Sequence, residues 1–148
     1  MTGRVDRIDV GPGNVALVRD YKNSTGYPRA TWAQDGHLQA ALYAMATREL
    51  LGLEPVGAVY QPLRGKDLRP RGAVRPEVAD GAVDNDVVDA AEWEALLDEL
   101  RRTAEGAARR MHDGDIRPCP ERCTPKGCAY PGICRAPDRA SRTEGEAA

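Results

Sequence analysis

Asp6, Asp20 and Lys22 are the residues of this chain whose types and spacing best suit chemistry. On adjacent antiparallel strands Asp6 would come to lie near Asp20, and two neighbouring carboxylates repel unless a cation sits between them. Ligation by oxygen alone suits Mg²⁺ or Mn²⁺. Lys22, two residues after Asp20 and so on the same strand face, adds an ammonium that can orient a water and offset charge on a phosphorane-like transition state. Taken alone, Asp-x-Lys also fits a solvated strand end with an incidental salt bridge. A second set comprises Cys119, Cys123, Cys128 and Cys134, all the cysteines of the chain, within sixteen residues. In a reducing compartment such clustered thiols bind metal more often than they pair as disulfides. Their spacing, C-x₃-C-x₄-C-x₅-C, admits zinc for the first three ligands and supplies the four thiolates of an iron–sulfur cluster.

These residues need elements to position them. GRVDRIDV (3–10) and NVALVRDYK (14–22) predict two short strands joined by a Gly-Pro-Gly-Asn turn. In the second, Ala16, Val18, Asp20 and Lys22 share one face, and Val15, Leu17, Arg19 and Tyr21 the other. A helix is expected from Thr31 or Asp35 to Leu51. Leu38, Leu42, Met45 and Ala46 form its apolar stripe, Thr31 with Gln34 a capping box, and Gly52 the stop. PVGAVYQPL (55–63) predicts a third strand. Residues 64–75 hold five basic side chains and one acid, a charged loop, and residues 77–99 hold nine acids and no base. Asp89 with Glu92 can cap a second helix, striped by Trp93, Leu96, Leu97, Leu100, Ala104 and Met111. Asp84, Asp86 and Asp89 lack the glycine spacing of a calcium loop and read as loop and cap. A helix between sheet strands makes the class α/β or α+β.

Composition narrows the rest. The 148 residues carry 21 basic and 23 acidic side chains, a net charge of −2, which removes any global charge argument for nucleic-acid or membrane binding. No apolar run reaches the roughly 20 residues of a membrane span, and MTGRVDRIDV lacks a signal peptide's apolar stretch, so a cytoplasmic location is expected. There is no Phe, which leaves Leu, Val and Ala with Trp32 and Trp93 to build the core. Only three of the 21 basic residues are lysine, so Lys22 stands out against an arginine background.

Gly3-x-x-Asp6-Arg7-x-Asp9, then Asp20-Tyr21-Lys22, then Gln39-x-x-x-Tyr43 closely resemble, in that order, the PD-(D/E)XK nuclease superfamily and its RecB/AddB-like branch. The likeness covers residues 3–62 well and the cysteine segment loosely. It implies an α/β fold, a central mixed sheet flanked by helices, with a small Cys-rich metal-bound segment. The expected division is a nuclease core over 1–114, the cysteine segment over 115–135 and a disordered tail over 136–148. Position by position, the resemblance makes Asp6 and Asp20 metal ligands, with the Tyr21 carbonyl a third. It makes Lys22 the catalytic lysine, and Gln39 and Tyr43, four apart on one helix face, the supporting pair that contacts DNA. Asp9 turns to the opposite face and is expected to pair with Arg7 or Arg19. His37 and His112 read as surface histidines.

The ending Cys128-x₅-Cys134-Arg135 matches the branch that carries a [4Fe–4S] cluster, with Zn²⁺ as the alternative, although the usual C-x₂-C is absent. The resembled nucleases also carry a helix with a His or Glu ligand, and a strand, ahead of the first motif. Met1 stands two residues before it, so these parts are expected on another polypeptide or a longer parent. The isolated chain is then expected to self-associate and to cut weakly. The activity implied is Mg²⁺-dependent hydrolysis of DNA, exonucleolytic at single-stranded ends, in repair or recombination, with a helicase subunit as partner. The loop 64–75 could track phosphates. The alternative is a non-catalytic iron–sulfur or zinc module that binds DNA or a helicase.

Overall fold

The computed structural model describes residues 3–115. Cys119, Cys123, Cys128 and Cys134 lie outside the described residues, as do the segments 116–135 and 136–148. By internal contacts the chain divides into Met1–Ala107 and Ala108–Ala148; the sheet and the candidate site belong to the first unit.

That unit is built on a four-stranded mixed sheet of order β1-β2-β3-β4. β1 (Arg7–Val10) and β2 (Val15–Lys22) form an antiparallel pair joined by a single 3₁₀ turn at Pro12–Asn14. β3 (Glu54–Pro62) runs parallel to β2, which requires the intervening chain to cross back over the sheet, and α2 (Gln39–Leu51) makes that crossing. β4 (Arg71–Val74) returns antiparallel to β3. α3 (Ala90–His112) closes the order. The mixed α/β class expected from the sequence is the one observed. Among the described residues no helix is long and apolar enough to cross a membrane.

The strand alternation read from the sequence places two cores. Val18 joins Ala58, Tyr60, Trp32, Trp93, Leu97 and Leu100 on one face. Leu17 joins Val59 and Val74 on the other, with Val78, Ala82 and Val87 packed against them. Reciprocal hydrogen bonds cap α3: the Glu92 N–H donates to Asp89 Oδ1 at 2.8 Å, and the Asp89 N–H to Glu92 Oε2 at 3.2 Å.

Several expectations change. The single helix from residue 31 or 35 is two: α1 (Trp32–Asp35) stops at Gly36, whose φ of 73° is left-handed, and α2 restarts at Gln39. The capping box at Thr31 does not form, because its hydroxyl donates to the Pro28 carbonyl. The face α2 buries is chiefly alanine, Ala40, Ala41 and Ala44 with Met45 and Thr47, because small side chains let the helix sit close to the sheet. Leu38 and Leu42, partly buried, pack against the same core, and with Ala46 they also line a groove of about 630 Å³ shared with Gly3, Val5 and Leu50.

The charged loop 64–75 contains β4, and most of its charge is spent internally. Arg69 pairs with Asp67, Arg71 with Asp86, and Arg75 with Glu77. Arg64 and Lys66 are the two left exposed without an ion pair among the described residues. Of the α3 stripe, Trp93, Leu97 and Leu100 are buried, whereas Met111 is 68% exposed.

Candidate active site

The β-hairpin comes first. Its register pairs Arg7 with Arg19, so one step further along the ladder Asp6 falls opposite Asp20. The Asp6 carboxylate is held there by the backbone N–H of Tyr21, which donates to its Oδ2 at 2.9 Å. Asp9, three residues on, turns to the other face. There Arg7 and Arg19 donate to its two oxygens at 2.6 and 2.7 Å, so both partners expected for it are present. Burial pushes the Asp9 carboxyl up, but these two hydrogen bonds outweigh it and hold the group below the usual carboxylate range.

Asp20 is the one acid of the motifs that the core swallows, at 2% exposure. Lys22, on the same strand face, brings its Nζ to 2.5 Å from Asp20 Oδ2. Lys22 Nζ also donates to Gln39 Oε1 at 3.0 Å, and Gln39 Nε2 donates to the Tyr43 hydroxyl at 3.0 Å. A single polar chain therefore runs from the buried carboxylate through the lysine to the exposed first turns of α2.

Gly3 is explained by the same chain. A Cβ there would lie 3.0 Å from Tyr43 Cε1, so the first motif residue is small because the tyrosine ring lies against it.

Every sequence-selected residue of the described region thus converges: Asp6, Asp20, Tyr21 and Lys22 at the hairpin's open end, Gln39 and Tyr43 on the facing helix. Among the described residues no group of three or more His, Cys, Asp or Glu side chains comes together. The acidic ligands on hand are the pair Asp6 and Asp20. Set against the one ammonium of Lys22 they leave an excess negative charge, and every donor atom of the pair is an oxygen. The donor set fits Mg²⁺ or Mn²⁺.

The sequence analysis missed Tyr60. It pairs with Asp20 in the β2–β3 register, and its ring centroid is 5.3 Å from Lys22 Nζ. A tyrosine in an apolar strand reads simply as core, and its neighbours across the sheet become visible only once β3 is known to lie beside β2. His37, read as a surface histidine, is half-buried and stacks on Tyr27 with ring centroids 3.6 Å apart and planes 12° from parallel.

A family model for the PD-(D/E)XK nuclease superfamily matches residues 1–135. No curated protein and no solved structure matches the chain.

Proposed function

Because the chain belongs to the PD-(D/E)XK nuclease superfamily, we propose that it is a metal-dependent DNA nuclease whose centre is Asp6, Asp20 and Lys22, supported by Gln39 and Tyr43. One observation carries this: the buried Asp20 carboxylate, opposite Asp6, is ion-paired with Lys22, and Lys22 is tied in turn to Gln39 on the facing helix.

Asp6, Asp20 and the Tyr21 carbonyl are the oxygens that would hold Mg²⁺ or Mn²⁺. When bound, the ion supplies Lewis acidity and lowers the pKa of a coordinated water. The protein's own part is positional and electrostatic. Lys22 presents N–H donors to the phosphate oxygens as negative charge develops, an interaction strongest in the transition state. Gln39 restrains the lysine, and Tyr43 restrains Gln39. Pre-setting the ammonium in this way avoids reorganisation at the moment of reaction.

The finer assignment rests on motif order. Gly3-x-x-Asp6-Arg7-x-Asp9, Asp20-Tyr21-Lys22 and Gln39-x-x-x-Tyr43 support a RecB/AddB-like exonuclease that acts on single-stranded ends in repair or recombination, beside a helicase subunit. Exposed Arg64 and Lys66 are the phosphate contacts available from the charged loop. The division 1–114, 115–135 and 136–148 follows from the same reading. The four local cysteines support a [4Fe–4S] cluster, with Zn²⁺ the other metal their spacing accepts.

The test is an assay on labelled linear single-stranded, linear duplex and circular single-stranded DNA, with Mg²⁺, Mn²⁺ or EDTA. The expected result is metal-dependent shortening of linear single strands, with circles spared and Asp20→Asn inactive. Cleavage that persists in EDTA overturns the metal-dependent reading, and cut circles overturn the exonuclease assignment.

A further inference from the structure

α2 begins without the usual help. Its N-cap position is Leu38, no side chain of its own sequence caps it, and its first turn holds no acid. The first N–H groups of a helix have no partner within it, and here one of them is satisfied from the sheet. The Ala40 N–H donates to the Tyr60 hydroxyl at 3.2 Å, and that hydroxyl donates to the His37 carbonyl at 2.8 Å. One phenol on β3 thus clamps the backbone on both sides of Gln39's entry into the helix. Tyr60 is itself held firmly: it is 1% exposed, and Tyr27 and Trp32 pack edge-on to its ring at 5.0 and 5.6 Å.

The same ring faces the chemistry. Tyr60 is the β3 partner of Asp20, and Lys22 Nζ lies 5.3 Å from its centroid, within cation–π range. We propose that Tyr60 is a positioning residue of this centre: its hydroxyl sets the start of α2, and with it Gln39, against Lys22, while its ring backs the lysine ammonium. Burial, reinforced by the Asp20 charge, pushes the Tyr60 hydroxyl up to about 12, although its hydrogen bond from Ala40 opposes the shift. This assignment of Tyr60 rests on the nuclease reading given above for Asp20 and Lys22.

Tyr60→Phe keeps the ring and removes the clamp. The expected result is a fall in kcat on the order of tenfold at unchanged KM, the signature of a misplaced group that acts in the transition state. It should be accompanied by faster hydrogen exchange at the Ala40 amide and loss of the Lys22–Gln39 side-chain contact by NMR. Gly52→Ala strains the left-handed cap at the other end of the same helix (φ 64°) and destabilises the fold without touching that contact. It should leave kcat near wild type, which separates positioning from general loss of stability. An unchanged kcat in Tyr60→Phe, or an equal fall in Gly52→Ala, overturns the proposal. Should the unmodified protein cut no DNA, the nuclease reading falls by itself. Tyr60 is then judged on the Ala40 exchange and the Lys22–Gln39 contact, and if Tyr60→Phe leaves both unaltered the proposal falls too.

Discussion

The ammonium of Lys22 sits between the buried carboxylate of Asp20, 2.5 Å away, and the side-chain oxygen of Gln39 on the facing helix, 3.0 Å away. The lysine is thus oriented by a strand neighbour and by an element that reaches it only through the fold. Lys22→Ala should lower kcat by roughly 10²–10³-fold, the scale for removing a preorganised donor, and leave DNA affinity nearly unchanged. Nuclease kinetics beside a binding titration in Ca²⁺ or EDTA checks this. A variant that cuts at full rate refutes the role given to the lysine.

The cysteine quartet makes a prediction independent of cleavage. Protein purified without oxygen should be brown and contain iron and acid-labile sulfide, and Cys128→Ser should bleach it. Colourless protein with one equivalent of zinc would assign the quartet to zinc instead.

Asp86 is buried at 2% exposure and takes hydrogen bonds from Arg71 Nε at 2.7 Å and the Gly72 N–H at 3.1 Å. It thereby anchors β4. Asp86→Ala leaves the Gly72 amide buried without an acceptor, at a cost of about 2 kcal/mol. Urea denaturation should show a lower midpoint at unchanged slope, and an unchanged midpoint would mean that β4 does not depend on this pair.

Asp9 sets an acid limb of stability. Its folded-state pKa lies below the unfolded one because the hydrogen bonds from Arg19 and Arg7 outweigh burial. The resulting stabilisation is fully present above the unfolded carboxylate value, about 3.9, and is lost as pH falls through the lower folded one. The stability difference between wild type and Asp9→Asn should therefore be constant near neutrality and shrink only in acid. A difference that vanishes between pH 6 and 8 would contradict this.

Much of the site was legible without coordinates because it is local. Asp20 and Lys22 share a face by the two-residue period of a strand, Gln39 and Tyr43 by the four-residue spacing of a helix, and Asp6 meets Asp20 through a short hairpin. Gly52 as helix stop, and Asp89 with Glu92 as cap, are read within a few residues of themselves. What failed depended on partners distant in sequence. β4 is four residues embedded in charge, and it becomes a strand through its pairing with β3 and through Asp86, fifteen residues after Arg71, which neutralises that arginine. Of the α2 face, Leu38, Leu42 and Met45 were read correctly as core-facing, but Ala40, Ala41 and Ala44 were overlooked because hydropathy ranks leucine above alanine, whereas close approach to the sheet favours alanine.

By itself, then, the sequence determined the chemistry available here: two carboxylates, a lysine and a helix pair in an order that marks a nuclease family. Tertiary structure alone decided how those groups are held. Parallel pairing of β2 with β3 puts Tyr60 beside Asp20 and beneath Lys22, and the crossing of α2 brings Gln39 to the lysine. Both are contacts between segments separated by 17 to 40 residues. Spacing along the chain carries no record of them, because they arise from burial and from the pairing of backbone groups after the strands have met.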